Sequence, residues 1–223
     1  LISRCHETFE KYQQQMENYE MGLARQEIDK FFWNDLCDNY LEMAKERLYN
    51  SDNKYGDYQK AAQKTLATVF LEVLKMYSPF VPHITEYIYQ ELYKSKFKDE
   101  FLSTSKFTEL PYDKKYIKFG NAMKKVVGDV RKYKTERNLS MKESIEELKI
   151  STSLDNIRCL RDSILDIQSC TRAEHIDVEK SDETEVSIIG RKIDDSYTEE
   201  SIDAPVQEAV KVMKLVRKDK KNQ

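Results

Sequence analysis

A chain of 223 residues with 37 Lys+Arg against 40 Asp+Glu has a formal charge of −3, which excludes a globally basic nucleic-acid protein. Folding at this length hides roughly 70–75% of the unfolded surface, so 39% apolar residues suffice for a core and disorder is excluded as the main state. Five glycines, four prolines and 35% charged residues suit long amphipathic helices and exclude an all-β fold. No apolar run approaches the ~18 residues that cross a bilayer, so no membrane association is expected. Cys5, Cys37, Cys159 and Cys170 show no C-x-x-C spacing, which points to a reducing, cytoplasmic setting without a disulfide framework or a metal site. The first residue is Leu1, not Met, and the chain is expected to be a piece of a longer protein.

From Phe9, the positions Tyr12, Met16, Tyr19 and Leu23 step by three and four, one apolar helical stripe, with Gly22 as the expected left-handed stop. Ile28, Phe32, Leu36, Tyr40 and Ala44 predict a second helix running to Leu48, before the turn-formers of 50–56. A third helix is predicted from an Asp57 N-cap through Ala62, Leu66, Val69, Val73 and Tyr77, ended by Pro79. Pro82 opens a fourth, carrying Ile84, Ile88 and Leu92. The polar stretch 94–111 reads as a long surface excursion.

The fifth helix, 113–138, separates its faces by chemistry. Phe119, Met123, Val126, Val130 and Tyr133 line one side, while Lys118, Lys125 and Lys132 superimpose on the other. From Lys114 to Arg137 there are nine Lys or Arg against Asp129 and Glu136, a local excess of +7 in an acidic chain. After Asn138 the period changes. Leu148 and Ile150 alternate, Leu154 to Ile164 has helical spacing, and Ile176/Val178 and Val186/Ile188 alternate again, which predicts strand, helix, strand, strand. A last helix is predicted from Pro205 through Val206, Val210, Met213 and Val216. The expected fold is mainly α: an antiparallel helical bundle over 1–140, then a small α+β module with a C-terminal helix over 141–223.

Catalytic signatures are missing. The glycines at 22, 56, 120, 128 and 190 are too far apart for a phosphate-cradling loop. His6, His83 and His175 lie in separate elements without a nucleophile nearby, and the many carboxylates read as solvated helix faces.

Three segments nevertheless have a family stamp. Trp33-Asn34-Asp35-Leu36-Cys37-Asp38-Asn39-Tyr40-Leu41-Glu42-Met43-Ala44-Lys45 resembles the W-x-x-F-C-D-x-Y-x-E-x-x-K segment of valyl-tRNA synthetases, with Leu36 in place of the usual aromatic. Pro79-Phe80-Val81-Pro82-His83-Ile84-Thr85-Glu86 is similar to the P-F-x-P-x-x-T-E corner of the class I enzymes for Val, Ile and Leu. Val130 to Leu139 resembles the R-x-x-K/R-x-E-x-x-L helix end, in a form nearest the archaeal-type valyl enzymes. The motif residues themselves read as packing: Trp33 and Cys37 one turn apart in the core, Glu42 and Lys45 paired at i, i+3.

The resemblance implies an anticodon-binding domain that docks tRNA(Val) for a catalytic domain of the same chain. The family's H-I-G-H and K-M-S-K-S signatures are absent, so this stretch is expected not to be an enzyme alone and to need no cofactor, ATP and Mg belonging to the parent's catalytic domain. A monomer is expected. By resemblance the anticodon loop meets the first helix and its connection to the second, which brings Arg4, Lys11, Asn18, Tyr19, Met21 and Arg25 into view. Tyr19 also lies on the apolar stripe, so core packing and base stacking both remain open for it. The Lys118, Lys125, Lys132 face reads as a phosphate clamp or as an ordinary solvated face. The isoleucyl or leucyl relative, and a helical protein-interaction module with a large exposed apolar patch, are the alternatives.

Overall fold

The computed structural model describes residues 1–49, 55–97 and 99–190. The helix predicted from Pro205 lies outside them. Helix α1 (Ile2–Glu17) is followed by a continuous rod formed by α2 (Met21–Lys30), a π-helical stretch (Phe31–Leu41) and α3 (Glu42–Tyr49). Next come α4 (Asp57–Tyr77), α5 (Pro82–Leu92), α6 (Lys114–Glu136), β1 (Ile145–Thr152), α7 (Leu154–Thr171), β2 (Ala173–Lys180) and β3 (Glu185–Ile189). The mainly α architecture with a small sheet is the one the sequence predicts.

The first core forms where α1, α2 and α4 face one another, with Cys5, Tyr12, Ile28, Phe31, Val69, Val73 and Met76 buried. Lys11 faces Glu27 at 3.9 Å and Arg4 faces Asp35 at 3.8 Å, so α1 runs antiparallel to the rod. The Tyr77 hydroxyl donates to Asp29 (2.6 Å) and that of Tyr40 reaches the Ala62 carbonyl (3.5 Å), so α4 runs antiparallel to the rod in turn. Helix α4 begins after Gly56, at φ +47, with Asp57 as its first helical residue and not its cap. It ends at Tyr77, where Pro79 ends the supply of amide donors, and Pro82 opens α5.

Helix α5 turns a different face inward from the one its aliphatic spacing suggests. Thr85 and Tyr89 are buried, with Tyr93 beyond, while Ile84 and Leu92 are each 53% exposed. The tyrosines win because their hydroxyls find acceptors on the inner side: Tyr89 donates to the Asp99 carbonyl (2.9 Å) and Tyr93 to that of Ala67 (2.8 Å).

The polar stretch after α5 is a strap and not a loose excursion. Phe107 packs on Phe9 with ring centroids 4.4 Å apart, and Leu102 and Leu110 are buried. Buried Glu72 and Lys75 on α4 form an ion pair (2.7 Å) whose outer atoms hold the strap: Lys75 donates to the Lys106 carbonyl (2.7 Å), and Glu72 accepts from the Thr108 amide (3.1 Å).

The second core lies between α6, α7 and the sheet. Strand order is β2-β1-β3, β2 parallel and β3 antiparallel to β1. The register aligns Ile176, Leu148 and Ile188 in one row and Val178, Ile150 and Val186 in the next, so the predicted alternation becomes one apolar sheet face. Against that core lie Met123, Val126 and Val130 of α6, with Leu160 and Ile167 of α7. Lys134, 1% exposed, donates to the carbonyls of Met141 (3.2 Å), Glu143 (2.6 Å) and Thr171 (2.9 Å), which ties α6, the approach to β1 and the end of α7 to one ammonium. Burial lowers its pKa below the usual lysine value, with the neighbouring Arg172 acting in the same direction.

Candidate nucleic-acid interface

The connection between α1 and α2 is built at Asn18-Tyr19-Glu20, and Gly22 is already helical. Glu20 N–H donates to the Gln15 carbonyl (2.8 Å) and Tyr19 N–H to that of Met16 (3.1 Å), the paired bonds of a Schellman stop. Glycine usually takes the left-handed position of that motif, but here Tyr19 does, at φ 60. A side chain in this conformation costs roughly 1–2 kcal/mol. The ring gains no packing in exchange, being 91% exposed, so the core reading of Tyr19 is excluded. Leu23, 46% exposed, leaves the stripe with it, because the chain reverses two residues after α1 ends.

Around the ring the turn is open. Asn18, Met21 and Arg25 are exposed, and Arg25 approaches Asp29 at 3.5 Å. The stop therefore gathers Asn18, Tyr19, Met21 and Arg25 at one end of the bundle: an aromatic face, an amide, a thioether and a cation. Lys11 is exposed halfway back along α1, facing Glu27. Arg4 is elsewhere. It donates to Glu7 (2.8 Å) and Asn121 (2.7 Å) and, with Lys124, surrounds Asp35, some 22 Å of helix axis from the turn. Its guanidinium joins α1, the π stretch and α6.

That junction also fixes where α6 stands. Asp113 N–H donates to Ser3 Oγ (3.2 Å), Lys124 pairs with Asp35 (2.7 Å) and Arg131 donates to the Asp38 carbonyl (3.2 Å), so α6 starts at the far end of α1 and follows the rod away from the turn. Lys118, Lys125 and Lys132 are exposed as predicted, but the positive face is partly neutralised. Lys125 pairs with Asp129 at 3.1 Å and Lys132 with Glu136 at 3.9 Å, while Lys118 has no ion pair among the described residues. Lys124, Arg131 and Lys134 are spent inward. Beside this junction lies a cleft of about 540 Å³, with Ile2, Tyr40, Ala62 and Ile117 in its walls.

The π stretch corrects the reading of the Trp33 motif. Spacing of four would bury Phe32 beneath Ile28, but the wider turn brings Phe31 and Leu36 to the core, five residues apart, and leaves Trp33 59% exposed. Cys37 is half-buried, and Glu42 and Lys45 do pair at i, i+3 (3.5 Å). Sequence reasoning also passed over Glu72 and Lys75, although a Glu and a Lys three apart inside the apolar run 71–76 were the available signal.

No helix among the described residues is long and apolar enough to cross a membrane. Comparison with known proteins matches residues 1–150 to the family described as the anticodon-binding domain of tRNA ligase. The valine–tRNA ligase of Rickettsia felis is 34% identical over 190 residues, covering 85% of this chain and 22% of that protein. The Rickettsia canadensis enzyme is 37% identical over 183 residues (82% and 22%), and that of Thermococcus kodakarensis 31% identical over 185 (82% and 20%). The chain thus spans about a fifth of the length of the curated relatives it matches. With two thirds of its residues matched to one model, in the segment that builds the bundle and its open turn, the chain belongs to the anticodon-binding domain family of tRNA ligases.

Proposed function

We propose that this domain docks the anticodon stem-loop of tRNA(Val) and so aligns the acceptor end in the catalytic domain of a valine–tRNA ligase. The observation that carries this reading is Tyr19, an exposed aromatic in a left-handed stop between Asn18, Met21 and Arg25. Unpaired anticodon bases are read by stacking on aromatic or guanidinium planes and by hydrogen bonds to their edges, and the turn offers those groups at the bundle's end. Arg25 and Lys11 supply charge along the approach. Lys118, Lys125 and Lys132 serve as a phosphate contact with no sequence information, and Arg4 holds the bundle in shape behind it. Amino-acid activation, with its ATP and Mg, belongs to the parent's catalytic domain, and the domain works in the cytoplasm as part of a monomer.

Binding of the purified chain to tRNA(Val) and to an anticodon-altered version, across a salt series, tests this reading. Preference for the natural anticodon is expected at every salt concentration, and affinity falls as salt rises. Equal affinity for the two RNAs overturns anticodon reading, and a flat salt series overturns the phosphate contact. A protein-binding role has one observation in its favour, the start and outward face of α5, where Val81 before the helix and Ile84, Tyr87 and Leu92 on it are exposed.

A further inference from the structure

Trp33 is the only tryptophan of the chain and stands with more than half its surface in solvent, on a rod whose core positions are well filled. Tryptophan is among the most buried residue types on average, so an open one is informative. It is also held still. The indole meets Phe32 edge to face at 5.0 Å, Phe32 meets Tyr77 in the same way at 6.0 Å, and the Tyr77 hydroxyl is fixed by Asp29 at 2.6 Å. The ring is thus a buttressed flat surface and not a floating side chain.

Its surroundings distinguish between partners. Docking of a partner's amphipathic helix needs a contiguous apolar patch. Around Trp33 the exposed positions of the rod are instead polar: Gln26, Lys30 and Asn34, with Gly22 and Arg25 nearer the turn. The acidic neighbours are Asp29, already engaged by Arg25 and Tyr77, and Asp38, five residues on. An aromatic plane whose exposed neighbours along the rod include the cation Lys30 and the amide Asn34 suits a nucleobase, whose π-face stacks without regard to sequence. Gly22, Gln26, Lys30 and Trp33 follow one another along the exposed side of the rod, roughly 18 Å of helix axis separating Met21 from Trp33.

We propose that Trp33 is a second stacking platform for the same RNA, holding an unpaired nucleotide outside the triplet that meets the α1–α2 turn, with Lys30 on its phosphate. This rests on the anticodon-docking reading. It adds affinity without discrimination between anticodons, because stacking alone reads no base edge.

Having a single tryptophan makes the test direct. Titration of the chain with the tRNA(Val) anticodon stem-loop, excited at the indole, is expected to quench the emission and to protect Trp33 from acrylamide at saturation. In parallel, polarisation of a labelled stem-loop is expected to show Trp33→Ala binding at least about fivefold more weakly, with Trp33→Phe keeping most of the affinity. Both variants should retain the wild-type circular dichroism, since the ring is outside the core. A labelled stem-loop that saturates the protein while emission and acrylamide access stay unchanged, or Trp33→Ala binding like wild type, overturns the proposal and leaves anticodon docking intact. If natural and altered anticodons bind equally yet both quench Trp33, anticodon reading fails and the platform stands. Absence of any RNA binding removes both.

Discussion

The α1–α2 turn and the outer face of α6 are both exposed and both contain cations, yet they are built on opposite principles. At the turn, backbone strain is accepted so that one aromatic ring stands clear, and few charges are present. On α6 the backbone is regular, and the charges are numerous but half-answered by Asp129 and Glu136. The first arrangement suits discrimination, the second a weak and adjustable hold on a polyanion. Local charge excess read from sequence counts lysines without asking where they go. Of the nine cations between Lys114 and Arg137, Lys124, Arg131 and Lys134 bind the protein itself.

Four experiments break or sharpen this contrast. The largest effect is expected at the turn: Tyr19→Ala should lose about 1–3 kcal/mol of stem-loop binding, one base stack. Tyr19→Gly should bind as poorly yet fold more stably than Tyr19→Ala by about 1 kcal/mol, because glycine accepts the left-handed position freely. Isothermal titration alongside thermal melts separates the two, and a Tyr19→Ala variant with unaltered affinity would remove the turn from the interface. Next, replacing Lys118, Lys125 and Lys132 by alanine should lower the slope of log K against log salt by at most about 0.7–0.9 per lysine, most at unpaired Lys118, and leave anticodon preference untouched. A changed preference would show that α6 reads sequence.

Arg4→Ala should cost about 1 kcal/mol of stability, measured by urea unfolding, through loss of its bonds to Glu7 and Asn121, with anticodon preference unchanged. An RNA-specific defect at wild-type stability would return Arg4 to the contact surface. Smallest of all, Asp129→Asn with Glu136→Gln should strengthen RNA binding two- to threefold at low salt, an effect of a few tenths of a kcal/mol that high salt erases. No gain would mean that the two exposed pairs already leave their lysines available.

Much of this was legible before any coordinates. The faces of α6 and the strand-helix-strand-strand order follow from strict periods, since Met123, Val126 and Val130 or Leu148 and Ile150 have only one way to be buried together. The turn was harder. Gly22 is the residue that tolerates a left-handed φ best, which predicts the stop there, but the closing bonds run from Tyr19 and Glu20 back to Met16 and Gln15 and put Tyr19 in that position. The π stretch was invisible for a related reason. Spacings of four and five both suit an aromatic-rich segment; in the fold Phe31 and Leu36 are buried, while Phe32 stays half-buried against Tyr77. On α5, aliphatic spacing lost to the hydrogen bonds of Tyr89 and Tyr93, which no hydropathy pattern contains.

The ammonium of Lys134 has a consequence for how the protein opens. Three carbonyls, two on the approach to β1 and one at the end of α7, depend on this side chain of α6, and neither stretch can part from the helix without stranding a positive charge away from water. Amide protons of late α6, early β1 and late α7 should therefore exchange with deuterium through one shared opening event of high free energy, whereas those near the Tyr19 turn fray independently.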